Sequence, residues 1–204
     1  MKKPLLVSAV AAALLSSPAF AQVQNFGGFS VGVNMDLTGT HTESTIGTLA
    51  INSVGQPSVG GSVQAAFGYA ATDLVLLSVG ATYSLNEIPA LSLASTTGSS
   101  KLKLKDAYSV YVEPAYLISD KTLAYAKIGY EAGTMNAEAT GIAASKKDIN
   151  GTGIGLGLRT LISKNLYLQA EARRVAYNSA RFDNDITDFK SSMTVGSVGL
   201  GYKF

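Results

Sequence analysis

Eight segments of this sequence alternate apolar residues with polar or small ones at a period of two. In the first segment, Phe29, Val31, Val33, Met35 and Leu37 share one face, and small or polar residues share the other. A two-residue period places successive side chains on opposite faces of a β-strand. The eight segments are 29–40, 58–70, 75–85, 107–118, 123–132, 151–162, 166–177 and 193–204. Each is close to the ~10 alternating residues of a strand that crosses a membrane.

The connections between these segments alternate between short and long. The short ones contain AATD, SDK and SKN, whose Asp, Asn and Ser suit tight turns. The long ones, about 43–57, 86–105, 133–150 and 178–190, are rich in Ser, Thr, Gly and Asn and are predicted to be loops. Tight turns at one end and long loops at the other are typical of an outer-membrane barrel. An even number of strands would place both chain termini on the periplasmic side.

The distribution of charge indicates which face of the strands meets lipid. Charged residues make up only 15% of the chain, which is few for a surface in water. The apolar face has essentially no charge in the strand centres, and tyrosines lie near its ends, at positions 69, 108, 116, 130 and 202. Aromatic residues at both rims of an apolar band are typical of a bilayer interface. We therefore predict an all-β fold, an eight-stranded antiparallel transmembrane barrel whose apolar face points outward.

The first residues have the three parts of a secretory signal. Lys2 and Lys3 precede an apolar run from Leu5 to Leu15, and Ala19-Phe20-Ala21 forms a small-x-small cleavage site. The apolar run is too short for a membrane-spanning helix, which needs ~20 residues. We expect residues 1–21 to be removed and residues 22–204 to form the barrel. The absence of Cys excludes a lipidated cysteine and any disulfide.

The alternation continues to the last residue, because Val198, Leu200, Tyr202 and Phe204 share the apolar face. With this ending, the region from about Phe26 to Phe204 resembles the small eight-stranded outer-membrane barrels of the OmpA/OmpX type. The resemblance implies that these four residues form the signal read by the barrel assembly machinery. It also implies a Gram-negative outer membrane, with membrane lipid and lipopolysaccharide as surroundings. Because nothing follows Phe204 here, we expect no peptidoglycan-binding domain.

The predicted interior contains charges of both signs. Taking Asp120 as the centre of the fourth-to-fifth turn places Glu113 opposite Lys127. The whole set is Glu113, Lys127, Glu131, Arg159, Glu171 and Arg173. One interpretation is a charged constriction that a small solute or ion must pass. The other is a paired network that fills the lumen, which we favour because isolated buried charge is costly and eight strands leave little open space.

Catalytic and cofactor motifs are weak in this sequence. The one histidine, His41, has Glu43 and Ser44 nearby, but neighbours in an extended segment point to different faces. A solvated loop histidine is the better interpretation, and with no Cys and no second His we expect no metal site. The stretch GTGIGLGLR lacks the G-x-G-x-x-G spacing of a dinucleotide loop, so no cofactor is expected. The net charge of +2 gives no reason to expect nucleic acid as a partner.

Three functions remain open. The first is a non-enzymatic, monomeric barrel that supports envelope integrity and contacts extracellular ligands through its outer loops. The second is a narrow porin for small solutes or ions, and the third is a barrel enzyme that modifies lipid A.

Overall fold

The computed structural model describes residues 23–46, 49–95, 98–139, 142–178, 180–181 and 187–204. The predicted signal, 1–21, lies outside them. In the described ranges a short 3₁₀ helix, Val23–Phe26, precedes ten strands. They are β1 Gly28–Ile46, β2 Leu49–Ala70, β3 Val75–Ser84, β4 Ile88–Ser95, β5 Gly98–Ser119, β6 Thr122–Ala139, β7 Ile142–Leu161, β8 Leu166–Tyr177, β9 Ala180–Arg181 and β10 Thr187–Lys203. No helix in these ranges has the length and apolar character needed to cross a membrane.

Eight of the strands close into a barrel. Neighbours pair antiparallel in the order β1-β2-β3-β5-β6-β7-β8-β10, and β10 pairs back onto β1 from Ser30↔Lys203 upward. Closure gives every strand a partner on both sides, which is required where no water can satisfy the backbone. The predicted fold, an eight-stranded antiparallel transmembrane barrel, is confirmed.

The strands are staggered around the barrel. The path of directly facing residues that leaves β1 at Ser30 returns to β1 at Thr40, ten residues further along. The residues on this path are Ser30, Ala66, Gly80, Tyr111, Gly129, Gly153, Val175, Met193 and Thr40. Such a stagger tilts the strands and, with eight of them, leaves an interior that side chains can fill.

The two faces of the wall are sorted as the alternation predicts. Large apolar side chains such as Val33 and Leu156 point outward, 58% and 70% exposed, while the residues between them turn inward. Aromatic residues border the outward band: Tyr83, Tyr108 and Tyr130 at the end with the long segments, and Phe29, Tyr116, Tyr202 and Phe204 at the end with the short turns. An exposed apolar band between aromatic rims is typical of a barrel that crosses a bilayer.

The long polar segments differ from the prediction, because much of each is strand. β1 and β2 pair as far as Ile46↔Leu49, and β6 and β7 as far as Ala139↔Ile142. Above the membrane the outward face of a hairpin meets water instead of lipid, so no continuous apolar outer face marks these residues as strand. Polar side chains do not prevent hydrogen bonding between the backbones of neighbouring strands, so the barrel wall extends beyond the bilayer.

One strand leaves the cylindrical wall. The β2–β3 ladder ends at Ser62↔Ser84, and β4 pairs with β5 but with no residue of β2. The Thr40 hydroxyl of β1 donates a hydrogen bond of 3.3 Å to the Ala90 carbonyl of β4. β4 therefore leans inward across the mouth of the barrel.

The barrel interior as the candidate functional site

The six charged residues singled out from the sequence all lie on inward positions of four consecutive strands. Glu113 is on β5, Lys127 and Glu131 are on β6, Arg159 is on β7, and Glu171 and Arg173 are on β8. Their side chains are at least 86% buried. Because adjacent strands present them at similar heights, they form one cluster across the lumen.

Glu113 has two cationic neighbours. The register Ala115↔Tyr125 and Val112↔Ile128 sets it opposite Lys127, whose Nζ is 3.9 Å from a Glu113 carboxylate oxygen. The closer partner is Arg159, with a guanidinium nitrogen 2.9 Å from the other oxygen. Neither oxygen accepts a hydrogen bond of good geometry, although the side chain is fully buried. Attraction between charges, rather than directed hydrogen bonding, therefore stabilises this carboxylate.

Lys127 forms its shortest contact with Glu171. Its ammonium donates a hydrogen bond to a Glu171 oxygen, and the same oxygen accepts one from the Tyr125 hydroxyl at 3.1 Å. The ammonium also lies 4.2 Å from the centre of the Tyr111 ring. A cation held against an aromatic face in a confined interior gains from the ring's electron density.

Arg159 lies between two tyrosine rings, 4.9 Å from Tyr167 and 5.2 Å from Tyr125. Its Nε donates to Gln169 at 3.4 Å. Gln169 exchanges hydrogen bonds of 2.9 and 3.0 Å with Gln64. The two amides satisfy each other and fill the space beside the charges. They were not predicted as site residues, although both stand at inward positions of the alternation.

The third ion pair lies nearer the outer end. An Arg173 Nη1–H donates to Glu131 at 2.7 Å, while its Nε–H has no hydrogen-bond acceptor. Beside this pair is a cavity of about 40 Å³, with Asp36, Ser62 and Ser109 among its lining. A polar space of this size holds little more than a few waters.

Apolar clusters close the lumen on both sides of the charges. At the periplasmic end the short helix turns into the barrel, where Val23 and Phe26 pack against Leu76 and Leu123. Gly28, at φ 94°, allows the chain to change direction between the helix and β1. At the outer end the cluster contains Ala90, Leu104, Met135, Ile149, Val175, Tyr177, Met193 and Val195. Neither cluster was predicted, because its residues come from outside the eight segments or from isolated inward positions.

Several inward positions are glycine because a neighbouring tyrosine ring occupies the space that a side chain would need. A Cβ at Gly157 would overlap the Tyr125 ring, and one at Gly201 would overlap the Tyr167 ring. These glycines belong to the packing of the interior.

The remaining sequence candidates lie outside the lumen. His41 is exposed on β1, paired with Ser192 and Val54, while the side chains of Glu43 and Ser44 are outside the described residues. No group of His, Asp and Glu able to hold a metal occurs in the described part of the chain. Val198, Leu200, Tyr202 and Phe204 all point outward. The Phe204 ring lies 5.1 Å from Tyr202 and 5.8 Å from Phe29, so the chain end is packed onto β1.

A small charged group lies on the outer surface above Tyr108. Glu87 forms ion pairs with Lys105 and, at 3.1 Å, with Lys103. The hydrogen bond from Lys105, followed by that from Lys103, lowers the pKa of the Glu87 carboxyl below its ordinary value.

A closed barrel with an apolar exterior, aromatic rims and a charged interior defines an integral outer-membrane β-barrel protein. The chain belongs to the family described as outer membrane protein beta-barrel domain, whose sequence model matches residues 7–204. Its place is therefore the outer membrane of a Gram-negative bacterium. No curated protein has a significantly similar sequence.

The chain is also similar to solved structures. Ail, the attachment invasion locus protein of Yersinia pestis, is 11% identical with a TM-score of 0.50, over 87% of this chain and 99% of that chain. Neisserial surface protein A is 17% identical with a TM-score of 0.48, over 87% of this chain and 98% of the other. These identities are low, so the likeness concerns the fold alone.

Proposed function

We propose that this protein is a non-conducting, non-enzymatic barrel that supports the envelope and contacts the surroundings through its outer hairpins. The observation that carries the proposal is the filling of the lumen. Apolar clusters lie at both ends, and three pairs of opposite charges lie between them. A hydrated ion on this route would have to displace buried side chains and break ion pairs, at several kcal/mol each.

The outer hairpins supply the contact surface. β1–β2, β4–β5 and β6–β7 extend the wall beyond the aromatic rim, and β9 pairs with β10 on the remaining side. An epitope inserted near Ser99 or near Ala144 should be accessible to antibody on intact cells. The same epitope at Asp120, in a short turn, should become accessible only after the outer membrane is permeabilised. The reverse pattern would invert the proposed orientation.

Single-channel recording in a planar bilayer tests the closed lumen. We expect no stepwise conductance from the refolded protein, and no swelling of liposomes in small sugars. Steady conductance steps, abolished by a blocking substitution in the interior, would overturn the proposal.

The second candidate, a narrow pore, is favoured by the charges and the polar cavity beside Arg173. The double change Lys127→Gln with Glu171→Gln distinguishes the two. If the native network only fills a closed lumen, neither the parent nor this variant should conduct, because the apolar clusters at both ends remain. If it lines a working pore, the parent should conduct and the variant should lose ion selectivity. Mass spectrometry of lipid A, with and without the protein, tests the third candidate, a lipid-modifying enzyme.

A further inference from the structure

One basic residue lies on the face of the barrel that meets lipid. In β8 the buried side chains of Val175 and Tyr177 point inward, and Arg174 points outward and is exposed. Its partners across the ladder are Ile154 on β7 and Thr194 on β10. In the described residues no acidic side chain forms an ion pair with it. A cation on the lipid face is costly at the bilayer midplane but costs little near the interface.

The position of Arg174 along its strand places it at the outer interface. Counted from the periplasmic end, it is the fifth outward-facing residue of β8, after Leu166, Leu168, Ala170 and Ala172. Tyr83 on β3 and Tyr130 on β6 are likewise the fifth on their strands, which also run outward. Those tyrosines form the outer aromatic rim, so the guanidinium lies at the level of the lipid headgroups.

A groove begins directly below Arg174 on the same face. Its floor contains small residues, Ala170 and Ala172 of β8 and Gly196 of β10. Larger apolar side chains stand on either side: Met35, Leu37, Leu156 and Leu158. The groove is shallow and open along its length toward the bilayer, and its lining is almost entirely apolar. A side chain built at Gly196 would meet nothing within 4 Å, so the space above this floor is open.

Hydroxyl groups accompany the cation. Thr194 faces Arg174 across the β8–β10 ladder, and Thr152 lies next to Ile154 on the outward face of β7. Both threonines are exposed. An Arg guanidinium binds phosphate through two parallel hydrogen bonds, and neighbouring hydroxyls can donate to the remaining oxygens.

We propose that this wall binds one phosphorylated, acylated lipid of the outer leaflet, with its phosphate on Arg174 and an acyl chain in the groove below. The occupant is a lipid because the groove lies within the apolar band and opens only toward the bilayer. A water-soluble phosphate would satisfy the cation but leave the groove empty. The proposal rests on the placement of the barrel in the outer membrane and is independent of whether the lumen conducts.

A second groove, centred on β1, β2 and β3, provides an internal control. Its lining includes Ala65 and Ala81, and the basic residues above it, Lys103 and Lys105, are already paired with Glu87. The proposal therefore predicts tight, phosphate-dependent binding at one groove only.

Native mass spectrometry of the refolded protein in mild detergent tests the site with three probes: lipid A with its phosphates, dephosphorylated lipid A, and glucosamine phosphate without acyl chains. We expect one phosphorylated lipid A per barrel and little binding of the other two probes. Arg174→Gln should weaken binding about tenfold or more, as expected when a charge-assisted hydrogen bond is lost. The matched control, Lys164→Gln in an exposed periplasmic turn, should leave binding unchanged.

A second pair of variants probes the groove. Ala172→Leu fills its floor and should weaken binding of phosphorylated lipid A, whereas Ala81→Leu in the second groove should not. Circular dichroism and heat-modifiable gel migration establish that each variant is folded. Equal binding of phosphorylated and dephosphorylated lipid A, or unchanged binding in both Arg174→Gln and Ala172→Leu, would overturn the proposal. Binding of glucosamine phosphate as tight as that of lipid A would show an anion site without a lipid.

Discussion

The Glu113 carboxylate lies 2.9 Å from the Arg159 guanidinium, on a strand that is not its neighbour in the barrel wall. β6 separates the two strands, so the two side chains meet inside the lumen. The pair across adjacent strands, Glu113 with Lys127, is longer at 3.9 Å, and Lys127 makes its closer contact with Glu171. Glu113 is therefore contacted by cations from β6 and β7, and Glu171 by a cation from β6. Together these ion pairs connect β5, β6, β7 and β8.

The first prediction tests this pairing. Arg159→Ala leaves Glu113 buried without its closest cation and should lower the free energy of unfolding by about 3–5 kcal/mol, less where water enters. The double change with Glu113→Ala should recover part of the loss, because no unpaired charge remains. Denaturant unfolding of the refolded barrel measures both. Lys164→Ala, in an exposed turn, is the control, and strictly additive effects of the two single changes would contradict the contact.

The second prediction concerns the periplasmic closure. The chain contains no Cys, so a single Leu76→Cys reports access to the lumen at that end. The side chain of residue 76 is covered by the cluster that includes Val23 and Phe26. A maleimide should label it slowly, and Val23→Ala with Phe26→Ala should raise the rate severalfold by opening the mouth. A Cys at Lys164 should label equally fast in both backgrounds, and unchanged labelling at position 76 would show that the helix does not control entry.

The third prediction separates two kinds of glycine. Gly201→Ala forces a methyl group into the Tyr167 ring and should cost about 1–3 kcal/mol, as overpacking does. Gly39→Ala meets nothing within 4 Å and should be neutral or slightly stabilising, because the unfolded chain loses freedom. Unfolding curves of the two variants give the comparison. Equal costs would mean that the ring can move aside without penalty.

How well the sequence predicts the structure differs between the part inside the bilayer and the part above it. Inside the bilayer one face must be apolar, so alternation identifies all eight strands and places residues such as Glu113 and Arg159 inward. The pairing of the charges in three dimensions is harder to predict from the sequence. The turn at Asp120 sets Glu113 opposite Lys127, but ion pairs between non-adjacent strands depend on strand tilt and side-chain length. Above the bilayer the outward face does not have to be apolar, so the period-two alternation does not identify the strands there. Arg174 is visible in the alternation as a charge at an apolar position, but its groove requires the neighbouring strands.

The fourth prediction concerns pH. Because ion pairs with Lys105 and Lys103 lower the Glu87 pKa in the folded protein, its contribution to stability is present above the ordinary value of 4.5. That contribution is lost as the pH falls below this value and through the lowered pKa. Glu87→Gln should therefore reduce stability slightly at neutral pH and not at all in strong acid, and the difference should shrink in high salt. Unfolding of both proteins across pH 2–7 checks the sign, and a difference that grows toward low pH would contradict it.

The last prediction concerns Phe204, which the resemblance to small outer-membrane barrels places in the assembly signal. Its ring packs on Tyr202 and Phe29, and its backbone N–H donates to the Phe29 carbonyl at 2.9 Å. Phe204→Ser removes the ring contacts but keeps this backbone bond, and the ring is 68% exposed toward lipid. The refolded barrel should therefore lose little stability, about 1 kcal/mol, because only part of a side chain's apolar surface is given up.

Assembly in cells should fall much further if the assembly machinery reads the terminal aromatic, and Tyr202→Phe, which keeps a ring in the pattern, is the control. Stability is measured as the unfolding midpoint in detergent, and assembly as the amount of heat-modifiable barrel in the outer membrane. If Phe204→Ser lowers stability and assembly to a similar extent, Phe204 acts through packing alone.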